Sequence, residues 1–408
     1  MSRQVNALER CPYEKWCGGC SMQSLPYKEQ LKRKEKEVAD LLKIYGRPEP
    51  ILGMNFPYYY RNKAHAVLGG SLKGKIVCGT YERGSHRIVN IDRCQIEDRE
   101  CDQLIASVRE LLPSFKVEPY NEDTGRGCLR HIIARRTADG GQIMLILVTA
   151  QAAFPSCKKF VSALRKARPN ITTILQNING QSTSVVLGDR YEILYGPGYI
   201  EDRLMGARFR ISPGAFYQVN SQQTKKLYRL AIDMADLKGK ERVLDAYCGT
   251  GTIGIAAAVD LAKRTKEPME LIGVECNPAA VRDARINARV NGLRQARFVV
   301  ADAGAFMLAE AEAGRSCDLV FMDPPRAGST EEFLLALRRL APEKIVYISC
   351  DPKTQARDLK YLDSAYAIRR IAPVDMFPFT DGIENVVRLA VAAGQQRHDD
   401  DAHRLLKK

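Results

Sequence analysis

The chain has 408 residues, of which 45% are hydrophobic and 27% are charged, the composition of an ordinary globular protein. No apolar run approaches the ~18 residues needed to cross a bilayer. The first residues, MSRQVNALER, also lack the apolar core of a secretion signal. Twelve cysteines are too few for a disulfide scaffold at this length. We therefore expect a cytoplasmic protein of two or three domains, and we expect it to be a monomer.

Positive charge dominates, because 62 Lys and Arg against 48 Asp and Glu give a formal net charge of +14. This excess predicts a polyanionic partner, most simply nucleic acid, although a generically basic protein is the alternative. Residues 58–65 (YYYRNKAH) and 125–136 (GRGCLRHIIARR) are rich in arginine, and the first also carries aromatic residues. Both segments are candidates for contact with single-stranded RNA, whose bases stack on rings and guanidinium planes. Strands with charged outer faces would give the same pattern.

Three cysteines, Cys11, Cys17 and Cys20, open the chain as a C-x5-C-x2-C pattern. In a reducing compartment, clustered cysteines bind metal or do chemistry more often than they cross-link. The pattern lacks the second C-x2-C pair of a zinc ribbon, whereas three thiolates with a distant fourth suit an iron–sulfur cluster. Residues 27–44 follow as a basic helix with an apolar stripe of Leu31, Val38, Leu41 and Leu42, for which we expect a solvated amphipathic helix.

The hydrophobic pattern then changes twice along the chain. Between residues 58 and 204, short β segments with turn signals, together with a helix near 156–167, predict an α+β domain. The predicted strands include 75–82, 86–92, 142–150 and 182–188. From about Glu241, apolar runs of five to seven residues alternate with helical stretches. That alternation indicates an α/β fold, a doubly wound, Rossmann-like parallel sheet.

In such a sheet the ligand lies beyond the carboxyl ends of the strands. The residues found there are Asp245–Tyr247, Glu275, Asp302, Asp323 and Cys350. Glycines 249, 251 and 254 also fit the G-x-G-x-x-G turn of nucleotide sites. Glu275 lies 24 residues after Gly251, and a carboxylate at this position can bind a ribose. Nicotinamide enzymes and S-adenosylmethionine (SAM) enzymes share that feature. The preceding aspartate, in D-x-x-x-G-x-G, resembles SAM methyltransferases more.

Two later segments indicate the chemistry. D-P-P at 323–325 resembles amino-methyltransferases, but Arg326 replaces the aromatic residue that would stack on a flipped base. Carbon 5 of uracil needs a thiolate at carbon 6 before it can accept a methyl group, and Cys350 at a strand end is a candidate for that nucleophile. An inert core cysteine is the alternative. Glu384, in a loop between the last two strands, is a candidate base, or a plain loop carboxylate.

D-P-P-R-x-G, then I-V-Y-I-S-C-D-P-x-T, then V-D-M-F-P-x-T-x-x-x-E resembles the RNA uracil-5-methyltransferase family, and so does F-Y-Q-V-N at 216–220. The resemblance runs from Cys11 to about Val391. It implies that Cys350 is the nucleophile and Glu384 the proton acceptor. It also implies SAM-binding residues, with Asp302 as a second-tier candidate: Gln218, Tyr247, Glu275 and Asp323.

The same resemblance implies a 4Fe–4S cluster held by Cys11, Cys17, Cys20 and Cys94, with Cys78 and Cys101 as fallback ligands. Many bacterial relatives begin with an oligonucleotide-binding β-barrel, which we expect to be missing, since only ten residues precede the first cysteine. The expected segments are an iron–sulfur segment with the basic helix (1–48), a central RNA-binding α+β domain (49–205), a SAM methyltransferase domain (206–393) and a polar tail (394–408).

The chain departs from the family pattern at three positions. Asp351 replaces Asn, Gly382 replaces His, and Phe379 replaces His, Gln or Tyr. We expect the carboxylate beside Cys350 to raise the pKa of the thiol. The first-choice function is methylation of a 23S rRNA uridine, and a tRNA T-loop uridine is the second. A third interpretation is a non-catalytic iron–sulfur protein that binds RNA. A fourth is a nicotinamide oxidoreductase, which only the glycines indicate.

Overall fold

The computed structural model describes residues 10–181 and 185–392, so the predicted polar tail lies outside the described residues. No helix in these ranges is long and apolar enough to cross a membrane. The helices are α1 (Tyr27–Leu42), α2 (Arg99–Leu111), α3 (Cys157–Ala167), α4 (Ser221–Ala235), α5 (Thr252–Leu261), α6 (Pro278–Val290), α7 (Ala303–Glu312), α8 (Glu331–Leu340) and α9 (Pro352–Leu362).

The C-terminal half forms a seven-stranded sheet of order β12-β11-β10-β13-β14-β16-β15. The first five of these strands run parallel, and β16 runs antiparallel to β14 and to β15. This arrangement confirms the predicted Rossmann-like α/β sheet, in which every predicted apolar run became a strand. Its strands are β10 (Arg242–Ala246), β11 (Glu270–Glu275), β12 (Arg297–Val300), β13 (Leu319–Met322), β14 (Lys344–Ser349), β15 (Tyr366–Val374) and β16 (Glu384–Val391).

The central region forms a second seven-stranded sheet of order β3-β2-β1-β4-β5-β6-β7, in which only β5 and β6 pair in parallel. The predicted helix near 156–167 is α3. The predicted strand at 182–188 is wrong for its described part, since residues 185–188 form no strand and the ladder begins only at Arg190. The strands are β1 (Lys63–Gly69), β2 (Val77–Tyr81), β3 (Ile88–Asn90), β4 (Leu129–Arg136), β5 (Ile143–Thr149), β6 (Thr173–Ile178) and β7 (Arg190–Tyr195).

A hairpin of β8 (Ile200–Leu204) and β9 (Ala207–Ile211) joins the two sheets. The boundary expected between residues 205 and 206 falls in its turn, where Gly206 adopts a φ of 91°. One face of the central sheet shares a hydrophobic core with the C-terminal half, because Ile133 and Ile146 pack in the same cluster as Leu227 of α4. The two halves are therefore joined through a common core.

Two arginines of the central sheet are buried, and one of them, Arg135, contacts the segment that joins the two halves. Arg135 is only 5% exposed, and its guanidinium donates to the carbonyl oxygens of Ala215 (3.3 Å) and Tyr217 (3.1 Å). Arg130, 4% exposed, donates to the carbonyl oxygens of Asn179 and Gln181. The expectation that residues 125–136 contact RNA is therefore wrong for these two side chains, because buried backbone carbonyls occupy them.

The basic helix predicted over 27–44 is α1, but it is not simply solvated. Its buried face consists of Gln30, Lys34, Val38 and Leu42, which repeat every four residues. The two polar members are fully buried, whereas Leu31 of the predicted stripe is only partly covered. Gln30 and Lys34 can be buried because both side chains have hydrogen-bond partners in the loop that precedes β16.

Candidate active site

The residues predicted at strand ends meet at one edge of the C-terminal sheet. Because β10 to β14 are parallel, their carboxyl ends lie on the same side. β16 is antiparallel, so its first residue, Glu384, lies on that side too. Along this edge the sheet presents Asp302, Glu275, Tyr247, Asp323 and Cys350, in the order of the strands they follow. Glu384 completes the row beside the cysteine.

Strand register places Cys350 opposite Glu384. Ser349 of β14 pairs with Asn385 of β16 in an antiparallel ladder, so the next position brings the thiol opposite the carboxyl group. Cys350 is partly exposed, whereas Glu384 is only 3% exposed, and its Oε2 has no hydrogen-bond partner in the described structure. A buried carboxyl oxygen without a partner, facing a partly open thiol, is an arrangement suited to a substrate between them.

The electrostatics of this pair follow from burial and from neighbouring charges. The pKa of Cys350 is raised to about 11, mainly by burial and then by the charges of Glu384 and Asp323. Arg326 acts in the opposite direction and lowers this pKa. Burial, with Asp323, raises the pKa of Glu384 well above its usual value, and Arg326 again opposes the shift. Burial raises the pKa of Asp323 to about 7. Perturbed pKa values concentrated at one sheet edge are typical of an active site.

We expect the reactivity of Cys350 to follow these charges. Because only the thiolate is alkylated, iodoacetamide modification should accelerate with rising pH toward the raised pKa of about 11. Glu384→Gln removes one of the charges that raise this pKa, so the alkylation midpoint should move to lower pH. Peptide mass spectrometry measures the modification of Cys350 alone. Glu343→Gln, an exposed carboxylate at the opposite end of β14, is the control and should leave the midpoint unchanged. A midpoint that Glu384→Gln does not lower would contradict the geometry.

The turn after β10 leaves space for a cofactor. Gly249 has a φ of 53°, and apart from its two chain neighbours no residue comes within 4 Å of the position where a Cβ would stand. The backbone N–H of Gly249 donates a hydrogen bond to Glu275 Oε2 (3.1 Å), which fixes the carboxylate beside the turn. Asp245, fully buried, accepts from the N–H of Gly254 and ties the turn to α5. The turn thus leaves open space beside its backbone and the Glu275 carboxylate, as a nucleoside site requires.

Tyr247 begins this turn, and Gln218 lies in the segment before α4. Tyr247 adopts a φ of 63°, and its ring packs on Phe333 at a centroid distance of 4.8 Å. The segment of Gln218, which is 9% exposed, is held from the central domain, since Asn62 donates to its backbone carbonyl and to Ser221 Oγ. Asp302 is exposed and caps α7 through the N–H of Ala305.

The four cysteines expected to bind a cluster line one cavity of about 400 Å³ between the N-terminal segment and the central sheet. The fallback ligands are elsewhere, because Cys78 and Cys101 are buried in the core of the central domain. The N–H of Gly19 donates to Cys17 Sγ at 3.3 Å. In residues 10–181 and 185–392, no three cysteine, histidine or carboxylate side chains are close enough together to hold a metal ion.

Comparisons with known proteins decide the family. The family described as tRNA (Uracil-5-)-methyltransferase matches residues 189–391. An RNA methyltransferase of Halalkalibacterium halodurans is 40% identical over 385 residues, which cover 93% of this chain and 82% of that protein. One from Listeria monocytogenes is 41% identical over 385 residues, 93% of this chain and 83% of its own. The chain belongs to the RNA uracil-C5 methyltransferase family.

A solved structure agrees with this assignment. The tRNA (uracil-54, C5)-methyltransferase of Pyrococcus abyssi, in complex with S-adenosyl-L-homocysteine, matches with a TM-score of 0.77 and 29% identity. The match covers 92% of this chain and 85% of the other. This RNA uracil-C5 methyltransferase is therefore a SAM-dependent enzyme that acts on RNA. The nicotinamide and the non-catalytic interpretations of the sequence are set aside.

Asp351, the departure beside Cys350, has a structural role in this methyltransferase. Its carboxylate is the N-cap of α9 and accepts from the N–H of Lys353 at 2.8 Å. The expected effect of Asp351 on the pKa of the thiol stays a prediction, and the carboxylates that raise that pKa most are Glu384 and Asp323. Asn caps a helix as well as Asp does, which explains why either residue is compatible with this position.

We expect Asp351→Asn to leave the free energy of unfolding within a few tenths of a kcal/mol and the methylation rate nearly unchanged. Asp351→Ala should cost about 1 kcal/mol, because the orphan N–H loses its acceptor. Urea unfolding measures the stability. Thr330→Ala, which removes the equivalent cap of α8 from Phe333, is the matched control and should cost a similar amount. A large gain in rate from Asp351→Asn would show that the carboxylate acts on the thiol.

Proposed function

We propose that the protein methylates carbon 5 of a uridine through a covalent adduct with Cys350. The thiolate adds to carbon 6, and the electron pair of the C5=C6 double bond moves toward carbon 5 and the oxygen of the neighbouring carbon-4 carbonyl, which forms an enolate. Carbon 5 is thereby made nucleophilic enough to take a methyl group, which SAM supplies. The observation that supports this most is the register that sets Cys350 opposite Glu384 at the ligand edge of the sheet.

Glu384 then acts as the base. After methylation, carbon 5 still carries its proton, and the carboxylate removes it. The electron pair of the C5–H bond restores the C5=C6 double bond, and the bond from Cys350 Sγ to carbon 6 breaks, which releases the thiolate. Burial raises the pKa of Glu384, so that in its ionised form it is a stronger base than an ordinary carboxylate.

The residues proposed to hold SAM are those around the open turn. Glu275 would accept from ribose hydroxyls through the lone pairs that its backbone donors leave free. Tyr247, Asp323 and Gln218 would bound the cleft, with Asp302 at its rim. Asp323 also acts on the pKa of Cys350, which supports placing SAM near that thiol.

The RNA substrate is proposed to be 23S rRNA, because the cysteine pattern resembles the cluster-bearing bacterial branch of the family. A tRNA uridine is the second candidate, favoured by the similarity to the Pyrococcus abyssi tRNA (uracil-54, C5)-methyltransferase. Nucleoside mass mapping of both RNAs from a strain that lacks the protein tests the choice. Loss of one 5-methyluridine from 23S rRNA supports the first candidate, and loss from tRNA the second. Both RNAs unchanged, with no methylation of either by the purified enzyme, would contradict the function.

We also propose that the cavity lined by Cys11, Cys17, Cys20 and Cys94 holds a 4Fe–4S cluster. Four thiols around one cavity are the donor set of such a cluster. The N–H that Gly19 points at Cys17 Sγ is the kind of hydrogen bond that stabilises a bound thiolate. In this arrangement the cluster joins the N-terminal segment to the central sheet.

Anaerobically purified protein should then contain roughly four iron and four sulfide per chain. Replacing any of the four cavity cysteines by serine should remove most of the iron and lower the melting temperature, because the segment loses its cross-link. Iron analysis and the visible absorption spectrum measure the loss. Cys276→Ser, an exposed cysteine outside the cavity, is the control and should keep full iron. If Cys94→Ser keeps its iron while Cys78→Ser loses it, the fourth ligand is misassigned.

A further inference from the structure

The loop of residues 375–383, which carries the chain from β15 to Glu384, is held mainly by the N-terminal segment. Phe379 in this loop adopts a φ of 67°, a left-handed conformation that a non-glycine residue adopts only under constraint. The N–H groups of Ser21 and Met22 donate to its carbonyl oxygen at 3.1 and 2.9 Å, and its own N–H donates to Gln30 Oε1 at 2.8 Å.

Lys34 of α1 binds the loop at three points. The side chain is fully buried, and its Nζ donates to Asp375 Oδ1 (2.6 Å), to the carbonyl oxygen of Phe377 (3.2 Å) and to that of Gly382 (2.9 Å). An ammonium group has three donors, and all three are satisfied here. The acceptors lie at the beginning, in the middle and at the end of the loop, so one side chain fixes its path.

Asp375 has a second partner from the same helix. Its Oδ2 accepts from the hydroxyl of Tyr27 at 2.6 Å, so both carboxylate oxygens are bound from α1. Burying an ion pair costs free energy unless all its polar atoms find partners. Two hydrophobic side chains of similar volume often stabilise a fold at least as much as a buried ion pair does. The buried pair of Lys34 and Asp375 is therefore explained better by its effect on the conformation of the loop than by a contribution to the free energy of unfolding.

We propose that Lys34 is a positioning residue for proton removal, because it holds the loop so that Glu384 faces Cys350. This inference rests on the proposed function, in which Glu384 takes the proton from carbon 5 and the thiolate then leaves. Only Ile383 separates Gly382, whose carbonyl Lys34 binds, from Glu384 in the chain. Loss of the ammonium frees the loop at its far end and lets Glu384 move away, whereas Cys350, on β14, stays in place.

Two variants separate positioning from stability. Lys34→Met alone leaves Asp375 as a buried carboxylate with one partner fewer, and we expect a lower melting temperature. The double variant Lys34→Met/Asp375→Asn removes both charges and should regain most of that loss, but it still lacks the contacts to Phe377 and Gly382. Glu310→Gln is the control, since Glu310 pairs with Arg242 in a partly buried ion pair at the opposite end of β10.

Single-turnover reactions on substrate RNA give the first readout. In the double variant, release of the protein–RNA adduct should slow by about 100-fold, the scale expected from a displaced catalytic group. SAM affinity and the rate of adduct formation should change less than about twofold, within the spread expected for residues that do not touch the reacting atoms. Adduct release at the wild-type rate in the double variant would overturn the proposal, and so would equal slowing in Glu310→Gln.

The pH dependence of Cys350 alkylation gives a second readout that needs no RNA. Asp323, Arg326 and Glu384 are the charged groups that act on this thiol. If Glu384 moves away in the Lys34 variants, the alkylation midpoint should fall as it does in Glu384→Gln. An unchanged midpoint would overturn the inference. If wild-type protein forms no adduct, the proposed function fails, but the midpoint still decides whether Lys34 positions Glu384.

Discussion

Cys350→Ala should abolish methyl transfer to RNA while SAM still binds with unchanged affinity. Without the thiolate, carbon 5 of uracil cannot take the methyl group, so the rate should fall by roughly 10⁶-fold, the scale of losing a covalent nucleophile in other enzymes. The thiol follows β14, whereas the glycine turn proposed to hold SAM follows β10, so we expect SAM binding to remain. Transfer of labelled methyl groups and calorimetric titration of SAM measure the two quantities.

Cys248→Ala is the control for this prediction. This cysteine lies in the cofactor turn, is buried, and donates weakly to the carbonyl oxygen of Gly249. Its replacement should weaken SAM binding or stability but leave a measurable rate at saturating cofactor. Full activity in Cys350→Ala would remove the nucleophile assignment and the proposed mechanism with it.

Glu384→Gln should stop the reaction one step later. The variant still forms the adduct and transfers the methyl group, but it cannot remove the carbon-5 proton, so turnover should fall by about 10² to 10⁴-fold. The protein should remain covalently attached to methylated RNA and appear as a slowly migrating band on a denaturing gel. The isosteric amide keeps the side chain's volume in a site that is only 3% exposed.

Glu384→Gln/Cys350→Ala is the control for the trapped band, because without the thiol no adduct can form. Near-normal turnover in Glu384→Gln, with no band, would show that the carboxylate is a passive loop residue. A band that persists in the double variant would place the covalent bond on another residue.

The sheet and its row of polar residues could be predicted because both depend on local signals. Apolar runs with helical spacers specify parallel strands, and parallel strands bring Glu275, Asp323 and Cys350 to one edge wherever the helices pack. The position of Glu384 depended further on β16 running antiparallel. Glu384 could be selected from the sequence only by its chemistry and by the family resemblance, because no local signal sets the direction of the last strand.

Long-range partners explain what the sequence did not reveal. Lys34 reads as one more exposed lysine on a basic helix, because the carboxylate that allows its burial lies 341 residues away. Arg135 reads as an RNA contact because its acceptors are backbone carbonyls, which no side-chain pattern announces. The one available signal was Gln30, Lys34, Val38 and Leu42 at four-residue spacing, a helix face on which two polar residues continue an apolar one.

The most direct test of the account is the site of attachment in a trapped complex. Substrate RNA with 5-fluorouridine at the target holds the enzyme after methyl transfer, because the fluorine on carbon 5 cannot leave as a proton does. Wild-type protein, incubated with this RNA and SAM and then digested, can be analysed by peptide mass spectrometry. The account predicts a methylated fluorouridine nucleotide on the peptide that contains Cys350. Attachment at another residue, or methylation without any covalent complex, would contradict it.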